Sequence, residues 1–127
     1  MTILYVANQP VSCDFYENIL RQKPILNVPG MTEFQLTPTH SLGLMPNDGI
    51  ACILGKTVPH PSTGNGIPRC ELYLFVKNLS EWYKNAMHHG AKLVSPIERQ
   101  DWGDRVAYFA DPDGHIIAFA EPVSSGD

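Results

Sequence analysis

The stretch WGDRVAYFADPDGH at residues 102–115 decides the fold that we expect for this chain. Residues 105–110 form an apolar, strand-forming run, and a second such run follows at residues 115–121. Between them lies Asp111-Pro112-Asp113-Gly114. Proline presets φ and glycine accepts a positive φ, so these residues suit a tight turn. The pattern predicts a β-hairpin, and we assign no chemical role to the turn residues.

The hairpin ends a longer unit that begins with an alternating strand at residues 71–76. Ser80 is expected to cap a helix that stops at Gly90. Short strands are predicted next at residues 92–95 and 97–102. The apolar stripe of the helix consists of Trp82, Tyr83, Ala86 and Met87.

The first half of the chain repeats this order of elements. A strand at residues 3–6 precedes a helix that Ser12 is expected to cap and Pro24 to stop. The stripe of this helix is Phe15, Ile19 and Leu20, and short strands are predicted at 24–29, 33–37, 42–45 and 50–54.

Individual residues recur as well. The same interval separates Tyr16 from Tyr83 and Asn18 from Asn85, and Pro46-Asn47-Asp48-Gly49 is interpreted as the counterpart of Pro112-Asp113-Gly114. We therefore predict an α+β fold of tandem βαβββ modules. Module one spans about 1–55 and module two about 69–122. Residues 56–68, rich in Pro and Gly, form either a plain linker loop or a lid, and residues 123–127 a disordered tail.

Composition excludes several functional classes. The chain has 127 residues and a net charge of −4, which argues against nucleic-acid binding because phosphates require a basic footprint. No apolar run is long enough to span a membrane, and the N-terminus does not resemble a signal peptide. Cys13, Cys52 and Cys70 have no disulfide or zinc spacing, and we expect three free thiols in the cytoplasm, with Cys52 and Cys70 inert and buried.

Two motifs carry a resemblance to a known superfamily. One is Ser12-x-x-Phe15-Tyr16-x-x-Ile19-Leu20 after the first strand, and the other is the stretch at residues 102–115. The second resembles the WGxRxAYFxDPDG ending of the vicinal-oxygen-chelate superfamily, which includes glyoxalase, bleomycin resistance proteins and dioxygenases. The resemblance covers residues 1–122. It implies that each module forms a half-barrel cup with its helix on the convex side, and that the protein is a homodimer.

The resemblance also locates the metal-ligand positions of the superfamily's enzymes. The first-strand histidine position falls on Met1, its counterpart in module two on Glu71, and the last-strand glutamate position on Ala118. The fourth position falls near Cys52 or Ile53. Of these residues Glu71 is an ordinary ligand for hard metals, and Cys52 is a soft one if the register permits. We therefore expect no metal site and no cofactor. The histidines His40, His60, His88, His89 and His115 are interpreted as surface residues.

Strand alternation assigns side chains to the cup. If position 1 faces the cup, so do Ile3 and Tyr5, whereas Leu4 and Val6 pack under the helices. The same alternation places Glu71, Tyr73 and Phe75 in the cup, with Trp102 and Arg105 at its mouth. Ile116, Ala118 and Ala120 face the cup from the last strand.

An aromatic cup with one carboxylate suits a planar or apolar ligand, and Glu71 suits a cationic group on it. The predicted ligand-binding residues are Tyr5, Cys52, Glu71, Tyr73, Phe75, Trp102 and Arg105. Alternatively, the aromatic residues belong to a core or a dimer interface, Trp102 serves packing, and Glu71 is a solvated strand-end acid or pairs with Arg69 or Lys77.

We predict a metal-independent protein that binds a small molecule, such as an antibiotic, as in the bleomycin-resistance branch, with no catalytic residues assigned. Two other functions remain open. One is a lyase, isomerase or dioxygenase of the superfamily with a divergent metal site. The other is a dimeric interaction module with no ligand.

Overall fold

The computed structural model describes residues 1–123, and the chain has an α+β fold of two βαβββ-like modules. Contacts divide it into a first unit, Met1–Asn65, and a second unit from Gly66 onward. The division falls inside the segment interpreted as the linker, which also forms 3-10 turns at Gly55–Thr57 and Pro61–Gly64. The predicted tail lies, from Ser124 on, outside the described residues.

The first unit is a four-stranded sheet in the order β1-β4-β3-β2, with β1 parallel to β4. One face carries the buried side chains Leu4, Val6 and Leu44, and helix α1 packs on this sheet with the Tyr16 ring 6.4 Å from that of Phe34. Its elements are β1 (Thr2–Val6), α1 (Gln9–Leu20), β2 (Leu26–Val28), β3 (Met31–Thr37), β4 (His40–Pro46) and α2 (Asn47–Leu54).

The second unit is a four-stranded sheet in the order β5-β8-β7-β6, with β5 parallel to β8. Helix α3 covers one face, where Trp82 packs on Phe119 and Tyr83 on Phe109 at ring-centroid distances of 5.5 Å and 5.6 Å. Its elements are β5 (Glu71–Phe75), α3 (Leu79–His88), β6 (Lys92–Arg99), β7 (Asp104–Ala110) and β8 (Ile116–Pro122).

The predicted hairpin at residues 111–114 is confirmed, since β7 and β8 pair antiparallel on either side of it. The two strands predicted at 92–95 and 97–102 are one strand, β6, whose register shifts between Leu93 and Glu98. Pro96 lies within this irregular stretch, and proline cannot donate to a regular ladder. A proline was therefore mistaken for the boundary between two strands.

The strand predicted at residues 50–54 is wrong, because Asn47–Leu54 forms helix α2. Asp48 lies in its first turn, where a negative charge is favoured, and Gly55 ends it with a φ of +76°. A short apolar run does not distinguish a strand from a helix by periodicity. Pro46–Gly49 is therefore not the counterpart of the Pro112–Gly114 turn; the turn between β3 and β4 lies at residues 38–39.

Neither predicted serine cap is correct. Helix α1 begins earlier, because the Asn8 side chain accepts a hydrogen bond of 3.1 Å from Val11 N and the buried Ser12 lies inside the helix. In α3 the cap position is Asn78, and the Glu121 carboxylate on β8 accepts from Leu79 N at 2.9 Å. A capping group from a distant strand leaves no local sequence signal.

No helix within residues 1–123 has the length and apolarity needed to cross a membrane.

A candidate ligand-binding face on the second module

The face of the second sheet away from α3 combines aromatic rings with small side chains. Register pairs Tyr73 with Ala118 and Ala118 with Tyr108, and paired residues point to the same side of a sheet. Phe75, Ala120 and Val106 form the next such row. Val106, Ala118 and Ala120 are fully buried and form a floor against which Tyr73 and Tyr108 pack. Because the floor residues are fully buried, the rings that cover them form the accessible surface of this face.

A chain of hydrogen bonds holds the aromatic side chains next to the β6–β7 turn. Trp102 Nε1 donates to the Tyr73 hydroxyl at 2.8 Å, and that hydroxyl donates to Asp104 Oδ2. The Phe75 ring packs edge-on against Tyr73 at 5.3 Å between centroids. Trp102 is 59% exposed and Phe75 is 65% exposed, so both present open ring surface from a held position.

The two tyrosines serve as neutral groups at physiological pH. Burial raises the pKa of Tyr73 above its ordinary value, and its hydrogen bond to Asp104 adds to that effect. Burial also raises the pKa of Tyr108, with a further contribution from the negative charge of Glu71. A neutral phenol is not available as a base or nucleophile, and the Tyr73 hydroxyl already donates its hydrogen bond to Asp104.

Two carboxylates lie at the border of this group of aromatic rings. Glu71 is exposed and shares the face with Tyr73, and Asp104 lies at the other end next to Trp102. The alternative pairing of Glu71 with Arg69 or Lys77 is not formed within residues 1–123. The Glu71 carboxylate is thus free to meet a positive group on a ligand.

The structure brings four of the seven predicted ligand-binding residues together on this face: Glu71, Tyr73, Phe75 and Trp102. It does not bring Arg105 to them, because Arg105 lies on the opposite side of β7 and pairs with Glu121 at 3.2 Å. Tyr5 belongs to the first sheet, on the face that Ile3 shares. Cys52 lies on helix α2.

Asp104 and Tyr108 join this face although they were not predicted. The signal was present in the sequence, since Asp104, Val106 and Tyr108 alternate along β7 and pair across the turn with β8. The alternation of side chains along β8 alone places Ala118 and Ala120 on this face. When the alternation is extended through the hairpin, it also places their neighbours on β7 there.

The cysteines differ from expectation in their exposure. Cys13 is buried. Burial is the largest of the causes that raise the pKa of its thiol. Cys52 and Cys70 are exposed rather than buried. All three are free, as expected from their spacing.

The metal-ligand positions of the superfamily's enzymes hold unsuitable residues in each module. Register pairs Ile3 with Gly43 as it pairs Tyr73 with Ala118, so Gly43, not Cys52 or Ile53, is the first-module counterpart of Ala118. A glycine and an alanine supply no donor, and the Met1 thioether is a poor ligand for hard divalent ions. Glu71 alone remains. The donor set does not fit such an ion.

A second group of donor side chains, Asp111, Asp113 and His115, lies in the β7–β8 turn. Asp111 Oδ1 accepts from Asp113 N at 2.9 Å and from His115 N at 2.8 Å, while Oδ2 lies 2.8 Å from His115 Nδ1. The Asp111 side chain is fully buried. The turn itself therefore uses this carboxylate. His115, expected at the surface, is half-buried by the same contacts.

Restoring one family carboxylate is expected not to create a metal site. Ala118→Glu places a second carboxylate near Glu71 but supplies no imidazole, and a divalent ion needs more donors than two carboxylates. Elemental analysis of wild type and variant, after incubation with manganese, iron, cobalt, nickel and zinc and then desalting, should find near-zero metal in both. One bound metal per chain in either protein would contradict this assignment.

Comparison with known proteins agrees with this architecture. The family model described as a glyoxalase-like domain matches residues 1–124. An uncharacterized protein of Mycobacterium bovis is 28% identical over 123 residues, covering 94% of this chain and 80% of the relative. An uncharacterized protein of Mycobacterium tuberculosis is also 28% identical over 123 residues, covering 94% of this chain and 72% of the relative.

Solved structures share the fold. A glyoxalase-related enzyme from Fulvimarina pelagi superposes with a TM-score of 0.77 at 20% identity, covering 98% of this chain and 92% of the other. A glyoxalase/bleomycin resistance protein/dioxygenase from Nocardioides superposes with a TM-score of 0.74 at 21% identity, covering 99% and 85%. Because the family model matches residues 1–124 and the structure has two such modules, the chain belongs to the glyoxalase-like domain family of the vicinal-oxygen-chelate superfamily.

Proposed function

We propose that this protein binds a planar, largely apolar small molecule that carries a positive charge, and that it does so without a metal. The observation that carries the proposal is the aromatic face of the second module, where Trp102 donates to the Tyr73 hydroxyl and Tyr73 packs on a floor of alanine and valine. Held aromatic rings beside small residues favour flat ligands, because the rings stack on the ligand with little further loss of freedom.

The charge of the ligand follows from the border of the face. Glu71 and Asp104 are both carboxylates, and the superfamily's glutamate position is the uncharged Ala118. A positive group on the ligand donates a charge-assisted hydrogen bond to Glu71, whereas an anionic ligand meets repulsion. Proteins of the same fold include glyoxalase/bleomycin resistance proteins from Nocardioides and Catenulispora acidiphila, and sequestration of an antibiotic is compatible with the chemistry of this face.

Glu71→Gln is expected to weaken binding of a planar cation about tenfold, because a charged hydrogen bond becomes a neutral one. Calorimetric titration with the planar cation ethidium and with neutral phenanthridine measures the difference. Phenanthridine binding should be nearly unchanged by the substitution. Glu81→Gln, on helix α3, is the matched control. Equal ethidium affinity in wild type and Glu71→Gln would remove Glu71 from the site.

We also propose that the chain forms a homodimer. Ile3, Leu26 and Val28, on the two edge strands of the first sheet, are 37%, 40% and 46% exposed, and exposed apolar edges favour association. Sedimentation equilibrium, run on the same protein samples as the ligand titrations, tests the homodimer. A molar mass of one chain at all protein concentrations would reject it. A dimer that binds no planar compound would instead favour an interaction module.

A further inference from the structure

A separate, open cavity of about 320 Å³ lies in the first unit, between helix α2 and the segment that follows it, and its lining residues are half-buried or exposed. Its volume is at the lower end of the range for small-molecule pockets. Ala51 and Leu54 line it from the helix, and Val58, Pro59 and Pro61 from the segment. None of these residues belongs to the aromatic face of the second module. The wall is therefore aliphatic, which suits an alkyl chain rather than a stacked ring.

The side chain of His60 ties the segment to the start of α2 and also lines the cavity. Its Nε2 lies 2.8 Å from Asp48 Oδ1, and its Nδ1 lies 2.8 Å from Ser62 Oγ. The ring thus joins the first turn of the helix to the 3-10 turn at Pro61–Gly64. This connection ties the segment to the helix beside the cavity.

Lys56 also lines the cavity and supplies a positive charge there. Within residues 1–123 Lys56 forms no ion pair, and the nearby Asp48 carboxylate is already in contact with His60. We propose that this cavity binds a small aliphatic carboxylate, with the alkyl chain against Ala51, Leu54 and Val58 and the carboxylate at Lys56. Charge complementarity at an apolar wall selects an amphipathic anion over a neutral or cationic molecule of the same length.

Three eight-carbon probes that differ in one head group test the proposal: octanoate, 1-octanol and octylammonium. Amide chemical-shift titrations of the full chain should show octanoate binding with shifts at residues 51–61, weaker binding of 1-octanol, and weakest binding of octylammonium. Lys56→Gln should weaken octanoate about fivefold, a value typical of a solvent-exposed charge pair, and leave 1-octanol unchanged. Lys84→Gln, on α3, is the charge-matched control.

Filling the cavity supplies an independent test. Ala51→Leu keeps a good helix-forming residue and should abolish octanoate binding, whereas Ile53→Leu, at a 72% exposed position on the same helix, should not. Circular dichroism establishes that both variants fold. The proposal is overturned if Ala51→Leu still binds octanoate, if 1-octanol binds as well as octanoate, or if the shifts occur at Tyr73 and Trp102. It does not depend on the function proposed for the second module.

Discussion

Gly114→Ala is expected to destabilise the protein by about 3 kcal/mol or more, because two costs add. Gly114 has a φ of +89°, in the left-handed region that residues with a Cβ seldom adopt. A Cβ there would also lie 2.7 Å from Gly66 Cα, which is backbone and cannot rotate away. Gly66 N donates to Asp113 O at 2.9 Å, so the segment at Gly66 is fastened to the turn that it would have to leave.

Chemical denaturation of wild type and Gly114→Ala measures the loss, and hydrogen exchange at the Gly66 amide reports the broken contact. Gly90→Ala is the matched control, because Gly90 has a φ of +78° and a Cβ there would meet nothing within 4 Å. That variant should lose only the conformational cost, about 1–2 kcal/mol. Equal losses at the two positions would contradict the importance of the Gly66 contact.

Asp111→Ala is expected to cost about 2–4 kcal/mol, since the buried carboxylate is the shared acceptor of the same turn. Its removal leaves the Asp113 and His115 amides and the His115 ring without the acceptor they use. Asp111→Asn should cost less, because an amide oxygen still accepts from the two backbone N–H groups. Thermal and denaturant unfolding of the three proteins rank them; a loss in Asp111→Asn equal to that in Asp111→Ala would contradict this explanation.

The pH dependence separates the charge of Asp111 from its hydrogen bonds. Burial acts to lower the pKa of His115, but the hydrogen bond and charge of Asp111, with the charge of Asp113, outweigh it and leave the pKa raised. The resulting stabilisation is fully present below the ordinary histidine pKa of about 6.5 and is lost as pH rises through the raised value. In Asp111→Asn this loss should shrink, and an NMR titration of His115 should give a lower pKa.

These turn contacts also position the proposed binding face. The turn sets the register of β8 against β7, and that register places Ala118 between Tyr73 and Tyr108. A one-residue slip would exchange Ala118 for Ile117 or Phe119, which are buried on the α3 side. Binding of a planar ligand therefore depends on a turn to which no direct contact with the ligand is assigned.

Residue patterns determined the main features of this protein. The repeated order of elements predicted two βαβββ modules, and the Asp111–Gly114 turn predicted the β7–β8 hairpin, because turn residues and strand alternation are local properties. Alternation also placed Glu71, Tyr73 and Phe75 on one face, since the period of two is fixed by the backbone. Residue identities also predicted a donor set that does not fit a metal, although the fourth position, Gly43, was assigned only from the pairing of β1 with β4.

Other features depended on contacts between residues distant in the chain. The cap of α3 comes from Glu121 on β8, and the same carboxylate pairs with Arg105, which the sequence had suggested for the ligand site. Helix α2 forms where an apolar run fitted a strand equally well, and Asn47 and Ile50 are its buried residues. Sequence fixes which residues alternate; only tertiary packing decides which of two faces meets a helix, and which polar group completes another element.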